Sequence, residues 1–135
     1  HPGDGREAIL VGDSGGIDAG QISGNAFRSY DEAIHVESGG DVSNLSVTGN
    51  TVYAMPWDDG DDAFDFSELT DSVVADNTFH DPEGNLGDAV ALGPGTEHNL
   101  IRNNSIHSSG GISNSGSSNV TDGNYRHDGS GWSLL

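Results

Sequence analysis

Four aspartates, Asp58, Asp59, Asp61 and Asp62, crowd around Gly60, and Asp65 follows soon after. A second acidic stretch, Asp81, Glu83 and Asp88, surrounds Gly84. Calcium gathers about six to eight oxygens in flexible geometry, and glycine lets a loop curl its carboxylates inward. Those seven acids (the five around Asp65 less Asp65 itself, and the second stretch) are therefore the expected ligands of one calcium site, provided the fold joins the two stretches. Their spacing is not that of an EF-hand. Solvated acidic surface is the competing reading.

His35 and Asp65 suggest proton transfer, because an imidazole beside a carboxylate can act as an acid/base pair. Hydrolysis of a glycosidic bond with inversion needs two separated carboxyls, which Asp65 with Asp61 or Asp62 can supply. Asp65, His35 and Asp62 are the candidate catalytic residues. A third set, Arg28, Tyr53, His80 and His107, recurs once per repeat, each three residues after an asparagine. Tyr53, His80 and His107, together with Trp57, are the expected glycan contacts. Two imidazoles one strand apart, His80 and His107, could instead share a transition metal.

Whether these residues meet depends on what carries them, and the carrier is a repeat. Ile22–Phe27, Val47–Val52, Val74–Phe79 and Ile101–Ile106 share one form: apolar, any, Gly/Asp/Asn, Asn, small, apolar. The asparagines Asn25, Asn50, Asn77 and Asn104 are separated by 25, 27 and 27 residues. A looser copy around Asn124 follows, with one residue too many before the asparagine. Gly, Asp or Asn tolerates the left-handed backbone of a tight corner. The asparagine after it can bond its amide to the next copy, building a ladder across in-register parallel strands. A second apolar doublet follows each corner, as in Ile34/Val36, Phe64/Phe66 and Val90/Leu92, with one outward residue between. Three short strands per coil at this period describe an all-β parallel β-helix of about five coils.

On these corner motifs and doublets, from about Ile9 to Tyr125, the chain resembles the right-handed parallel β-helix proteins of the pectate-lyase-like superfamily. The resemblance implies a right-handed solenoid. It also implies an exposed strand face on which enzymes of the superfamily set carboxylates, calcium and a basic residue against acidic polysaccharides. The segment Asp61-Asp62-Ala63-Phe64-Asp65 has a passing similarity to the two-aspartate strand of polygalacturonase-like enzymes, whose other motifs are missing. No lysine, and no arginine in a recognisable lyase motif, is present to neutralise a uronate. Fold does not fix activity in such a group.

Residues 1–135 read as a single β-helix domain, with 108–135 as a tapering end or cap and Trp132, Leu134 and Leu135 covering its open end. The distance from corner asparagine to apolar doublet is longer in the two middle coils. The extra residues, 55–62 and 81–88, must bulge as neighbouring loops, where solenoids concentrate function. With 22 acidic residues, four Arg, no Lys and a net charge of −18, the chain lacks the cationic footprint that nucleic acid demands. Such a surface resembles that of extreme halophiles, where molar salt screens self-repulsion. A calcium-loaded protein of low-salt habitat is the alternative. There is no cysteine and no apolar run long enough to span a membrane.

The expected function is a secreted or cell-surface module of a halophile that contacts polysaccharide, binding rather than cleaving, with calcium as the one cofactor. The alternatives are a calcium-assisted polysaccharide lyase or glycoside hydrolase, and a structural adhesin, tailspike or filament subunit. In the last, coils would stack end to end on another copy or a parent chain.

Overall fold

A computed structural model describes residues 7–12, 14–28, 32–54, 60–108 and 110–135. Within them the chain is all-β, a parallel solenoid with three faces and no helix. The first face stacks Glu7–Val11, Glu32–Val36, Phe64–Thr70, Val90–Glu97 and Ile112–Asn114, with Gly16–Asp18 and Asp41–Ser43 alongside. The second stacks Gln21–Ser23, Ser46–Thr48, Val73–Ala75, Leu100–Arg102 and Val120–Asp122. The third stacks Ala26–Arg28, Thr51–Tyr53, Thr78–His80, Ser105–His107 and Tyr125–His127. Five strands deep on each face makes about four turns, slightly fewer than the five coils expected from counting copies.

Two left-handed corners shape each rung. One holds Gly24, Gly49, Asp76, Asn103 and Gly123; the other, five residues earlier, holds Ala19, Asn44, Asp71, His98 and Ser118. All ten have positive φ, and only three are glycine. The asparagine after each corner of the first set turns its side chain along the stack. Asn50 Nδ2 donates to Asn77 Oδ1 (3.1 Å), and Asn77 Nδ2 to Asn104 Oδ1 (3.0 Å). Asn104 Nδ2 donates to Asn124 Oδ1 at 2.9 Å, and Asn25 Nδ2 reaches Asn50 at the other end. The same oxygens accept the backbone N–H of the neighbouring asparagine, and the same amides reach back to carbonyls such as Val47 O and Val74 O. A buried amide satisfied in this way stabilises rather than penalises the corner.

A second, shorter ladder runs behind the other corner. Leu45 N donates to Ser72 Oγ, Ser72 N to Asn99 Oδ1, and Asn99 Nδ2 to Asn119 Oδ1. The sequence motif did not include it. The supposed extra residue before Asn124 also disappears, because Thr121 pairs with Ile101 and takes the slot that is apolar in the other rungs.

Apolar residues from all three faces meet inside. Phe64 packs edge-on against Phe79 at 5.0 Å between centroids, and contacts Phe27 and Phe66. Ile34, Val36, Val47, Val74, Ile101 and Ile106 complete the column, each essentially without solvent contact. At the last rung the chain doubles back: Trp132–Leu134 pairs antiparallel with Tyr125–His127. This strand extends the third face and leaves Trp132 and Leu134 mostly exposed. It therefore adds one strand beyond the last rung on that face, and Leu135 N donates to Asn124 O there.

Candidate functional site

Two outward strips carry the chemistry. On the first face, register aligns Leu10, His35, Asp65, Ala91 and Ser113 in one column. His35 Nδ1 lies 3.4 Å from Asp65 Oδ2, so the acid/base candidates are brought together. The same nitrogen meets Glu32 Oε2. Strict alternation would put Glu32 and His35, three residues apart, on opposite sides of the strand. A local irregularity prevents this. Ala33 N and Ile34 N both donate to Ala63 O, and both side chains point into the core. Such bulge-like doubling re-aims the residues around it. Glu7 pairs with Glu32 in register, and an oxygen of each comes within 4.8 Å of the other and of a His35 nitrogen.

Asp62 and Asp88 hold the corresponding place two residues before Phe64 and Val90. The first face thus bears a file of carboxylates with one imidazole beside it. Burial pushes the Glu32 carboxyl above the usual carboxylate range; His35 draws it back, while Asp65 and Glu7 push it further. Asp62 is raised for the same first reason, burial, opposed by a hydrogen bond from Asp88 N and reinforced by Asp88, Asp65 and Asp61.

The inserted loops are neighbours, held by main-chain bonds. Gly60 N donates to Asn85 O and Gly87 N to Asp61 O, each at 2.9 Å. Asp88 N donates to Asp62 Oδ1 at 2.6 Å. Gly60 and Gly84 both adopt positive φ. Asp81 is fully buried, and its two oxygens accept Asn85 N, Leu86 N and Ser108 Oγ, which folds the second loop onto the next rung. Of the expected calcium ligands, Asp61, Asp62 and Asp88 come together, Glu83 stands at the loop tip, and Asp81 is engaged by protein donors. A calcium site and solvated acidic surface are the two readings of the sequence. Direct pairing of the loop backbones is a third. Asp58, Asp59 and Trp57 lie outside the described residues.

On the third face, register aligns Arg28, Tyr53, His80 and His107. The Arg28 guanidinium sits 3.8 Å above the Tyr53 ring, and Tyr53 stacks on His80 at 5.2 Å with 13° between planes. His80 and His107 meet edge to face at 6.4 Å. The file then runs past the sequence expectation. His107 contacts His127 at 4.8 Å, and Trp132 meets His127 at 5.1 Å and His107 at 6.4 Å. His127 was hidden by the shortened last repeat and Trp132 by the antiparallel return. Beside this end lies a cleft of about 290 Å³, bounded by Asp81, Glu83, His107, Ser108, His127 and Asp128.

No protein-family model, no curated protein and no solved structure matches the chain.

Proposed function

We propose that this chain is a secreted or cell-surface β-solenoid module that contacts polysaccharide, binding rather than cleaving it. The observation carrying this reading is the cleft beside the exposed Trp132, with His107 and His127 in its wall. Sugar recognition combines an apolar ring face for C–H groups with polar groups that fix hydroxyls. Both faces of Tyr53 are engaged, by Arg28 and His80, so its edge and hydroxyl are what it offers. Trp132, exposed over 57 % of its surface, supplies the open ring. Asp128 Oδ1 is engaged by Ser130 and Glu83 Oε2 by Asn85, which leaves the second oxygen of each carboxylate to accept a hydroxyl.

The charge of −18 supports placing this module in concentrated salt, as in halophile proteins, and the pectate-lyase-like resemblance supports a carbohydrate partner. A neutral or amino-bearing glycan suits the surface better than a polyuronate, since like charges repel. The experiment is a binding and degradation screen of polysaccharides in molar potassium chloride, with and without calcium. Binding without product, weakened at least tenfold by Trp132→Ala and by His107→Ala, is the expected result. Equal binding by wild type and both variants removes the cleft from the proposal, and no binding at all removes the proposal.

A second reading, cleavage, is favoured by the contact of His35 with Glu32 and Asp65. A carboxyl that burial raises above its ordinary range, beside an imidazole and a second carboxylate, is an arrangement that acid/base chemistry uses. Release of sugar product that stops with Asp65→Asn supports it.

A further inference from the structure

Besides the glycan cleft, the first face holds a set of donors with a different chemistry. Glu7 and Glu32 come from adjacent rungs, 25 residues apart in sequence, and His35 stands on the same strand as Glu32. One oxygen from each glutamate and one imidazole nitrogen lie within 4.8 Å of one another. Small side-chain shifts would bring three donors that close around a single ion with bonds of about 2.0–2.2 Å. Each donor is partly buried, so water competes incompletely. Asp65 Oδ2, 3.4 Å from His35 Nδ1, offers a further oxygen from the next rung.

Charge points the same way. Glu7, Glu32 and Asp65 together carry up to three negative charges, and an imidazole that ligates a metal is neutral. A divalent cation would offset two of the three. Among the described residues no arginine is placed on this face: Arg28 and Arg126 lie on the third and Arg102 on the second. The bulge-like doubling at Ala33/Ile34 is what aims Glu32 to the same side as His35.

We propose that Glu7, Glu32 and His35 form a binding site for a first-row transition dication of the zinc type, with Asp65 as a fourth donor. One imidazole and a few carboxylates suit such an ion, whereas calcium asks for about six to eight oxygens and no nitrogen. The strands supporting three of the four donors are fixed by parallel pairing on both sides or by the core beneath them. The site is therefore largely formed before metal arrives, and loading should stabilise the fold rather than rearrange it. It is independent of the glycan cleft, which lies on another face.

The test is calorimetric titration of the whole chain with zinc, cobalt(II) and calcium in molar potassium chloride. It is run on the wild type, Glu7→Gln, Glu32→Gln, His35→Gln and a His80→Gln/His107→Gln/His127→Gln control. The expected result is one zinc per chain, at least tenfold weaker in each of the three site variants and unchanged in the histidine control. Cobalt should give a visible-region spectrum that changes in Glu7→Gln, Glu32→Gln and His35→Gln. Calcium should compete only in large excess. Circular dichroism confirms that each variant is folded. Zinc retained by folded Glu32→Gln and His35→Gln overturns the proposal, as does its loss in the triple control or preference for calcium.

Discussion

Gly87 passes so close to Gly60 that a β-carbon on Gly87 would stand 2.4 Å from the Gly60 carbonyl oxygen and 2.6 Å from Asp62 Oδ1. One rung further, a β-carbon on Gly110 would meet Gly87 O at 1.8 Å. Three glycines thus touch in a column where the loops leave the solenoid, and main-chain contact there is what lets the acidic loops lie together. Gly87→Ala should separate them, breaking Gly87 N to Asp61 O. We expect a loss of about 1–3 kcal/mol, typical of steric strain in a packed site. Denaturant unfolding measures it; an unchanged midpoint would show that the loops absorb a methyl group freely.

Asn77 is the central residue of the long ladder. It accepts Asn50 N and Nδ2 and donates to Val47 O and Asn104 Oδ1. Asn77→Leu leaves several buried polar groups without partners, each costing about 1–3 kcal/mol. Asn25, at the exposed end of the same ladder, makes fewer bonds, so Asn25→Leu should cost under about 1 kcal/mol. The ordering of the two melting temperatures is the measurement. Equal losses would contradict the ladder's buried centre.

The ladder itself was legible because four asparagines recur in one motif. Its companion was not, for a reason visible in the residues: five positions before each ladder asparagine stand Gly20, Leu45, Ser72, Asn99 and Asn119. Only three of those can bond through a side chain, so no repeated letter marks the site. Parallel register, face by face, followed from the inward apolar doublets. Glu32 and Glu7 escaped notice because alternation assigns Glu32 to the wrong side of its strand, and only the doubling at Ala33/Ile34 corrects it. Hydrogen-bond geometry of that kind leaves no compositional trace.

Asp62 provides a pH prediction. Its carboxyl is raised in the folded state, first by burial. The folded chain therefore holds a proton there at pH values where the unfolded chain has released it, and stability falls as pH rises through that window. Above it the ionised group is a net liability. Asp62→Asn keeps an oxygen for Asp88 N and removes the charge. Its melting temperature at pH 7 should exceed the wild type's by on the order of 1–2 °C, small because solvent screens a half-exposed group. The gap should close as pH falls through the window just above the ordinary aspartate range. A variant less stable than wild type at pH 7 would show that the charge is stabilising.

Salt should act on the whole molecule. With a net charge of −18 and no lysine, rungs repel one another over a screening length of about 3 Å in molar salt and about 30 Å at 0.01 M. Dialysis to millimolar salt without divalent ions should unfold the chain cooperatively, seen by circular dichroism. A melt unchanged across that range would remove the salt-adaptation reading.

The ladder bonds join residues between 20 and 30 positions apart, and the strand pairings repeat the same separations. Forming any rung on its neighbour closes a loop of nearly constant size, so the entropic toll is much the same at each step. The first pair of rungs meets that toll with no edge to dock on. Every later rung is templated by a finished edge of strands, amides and phenyl rings. The stack around Phe64, Phe79 and Asn77, flanked on both sides, is the natural nucleus, and growth and fraying should proceed outward from it like a zipper with two open ends.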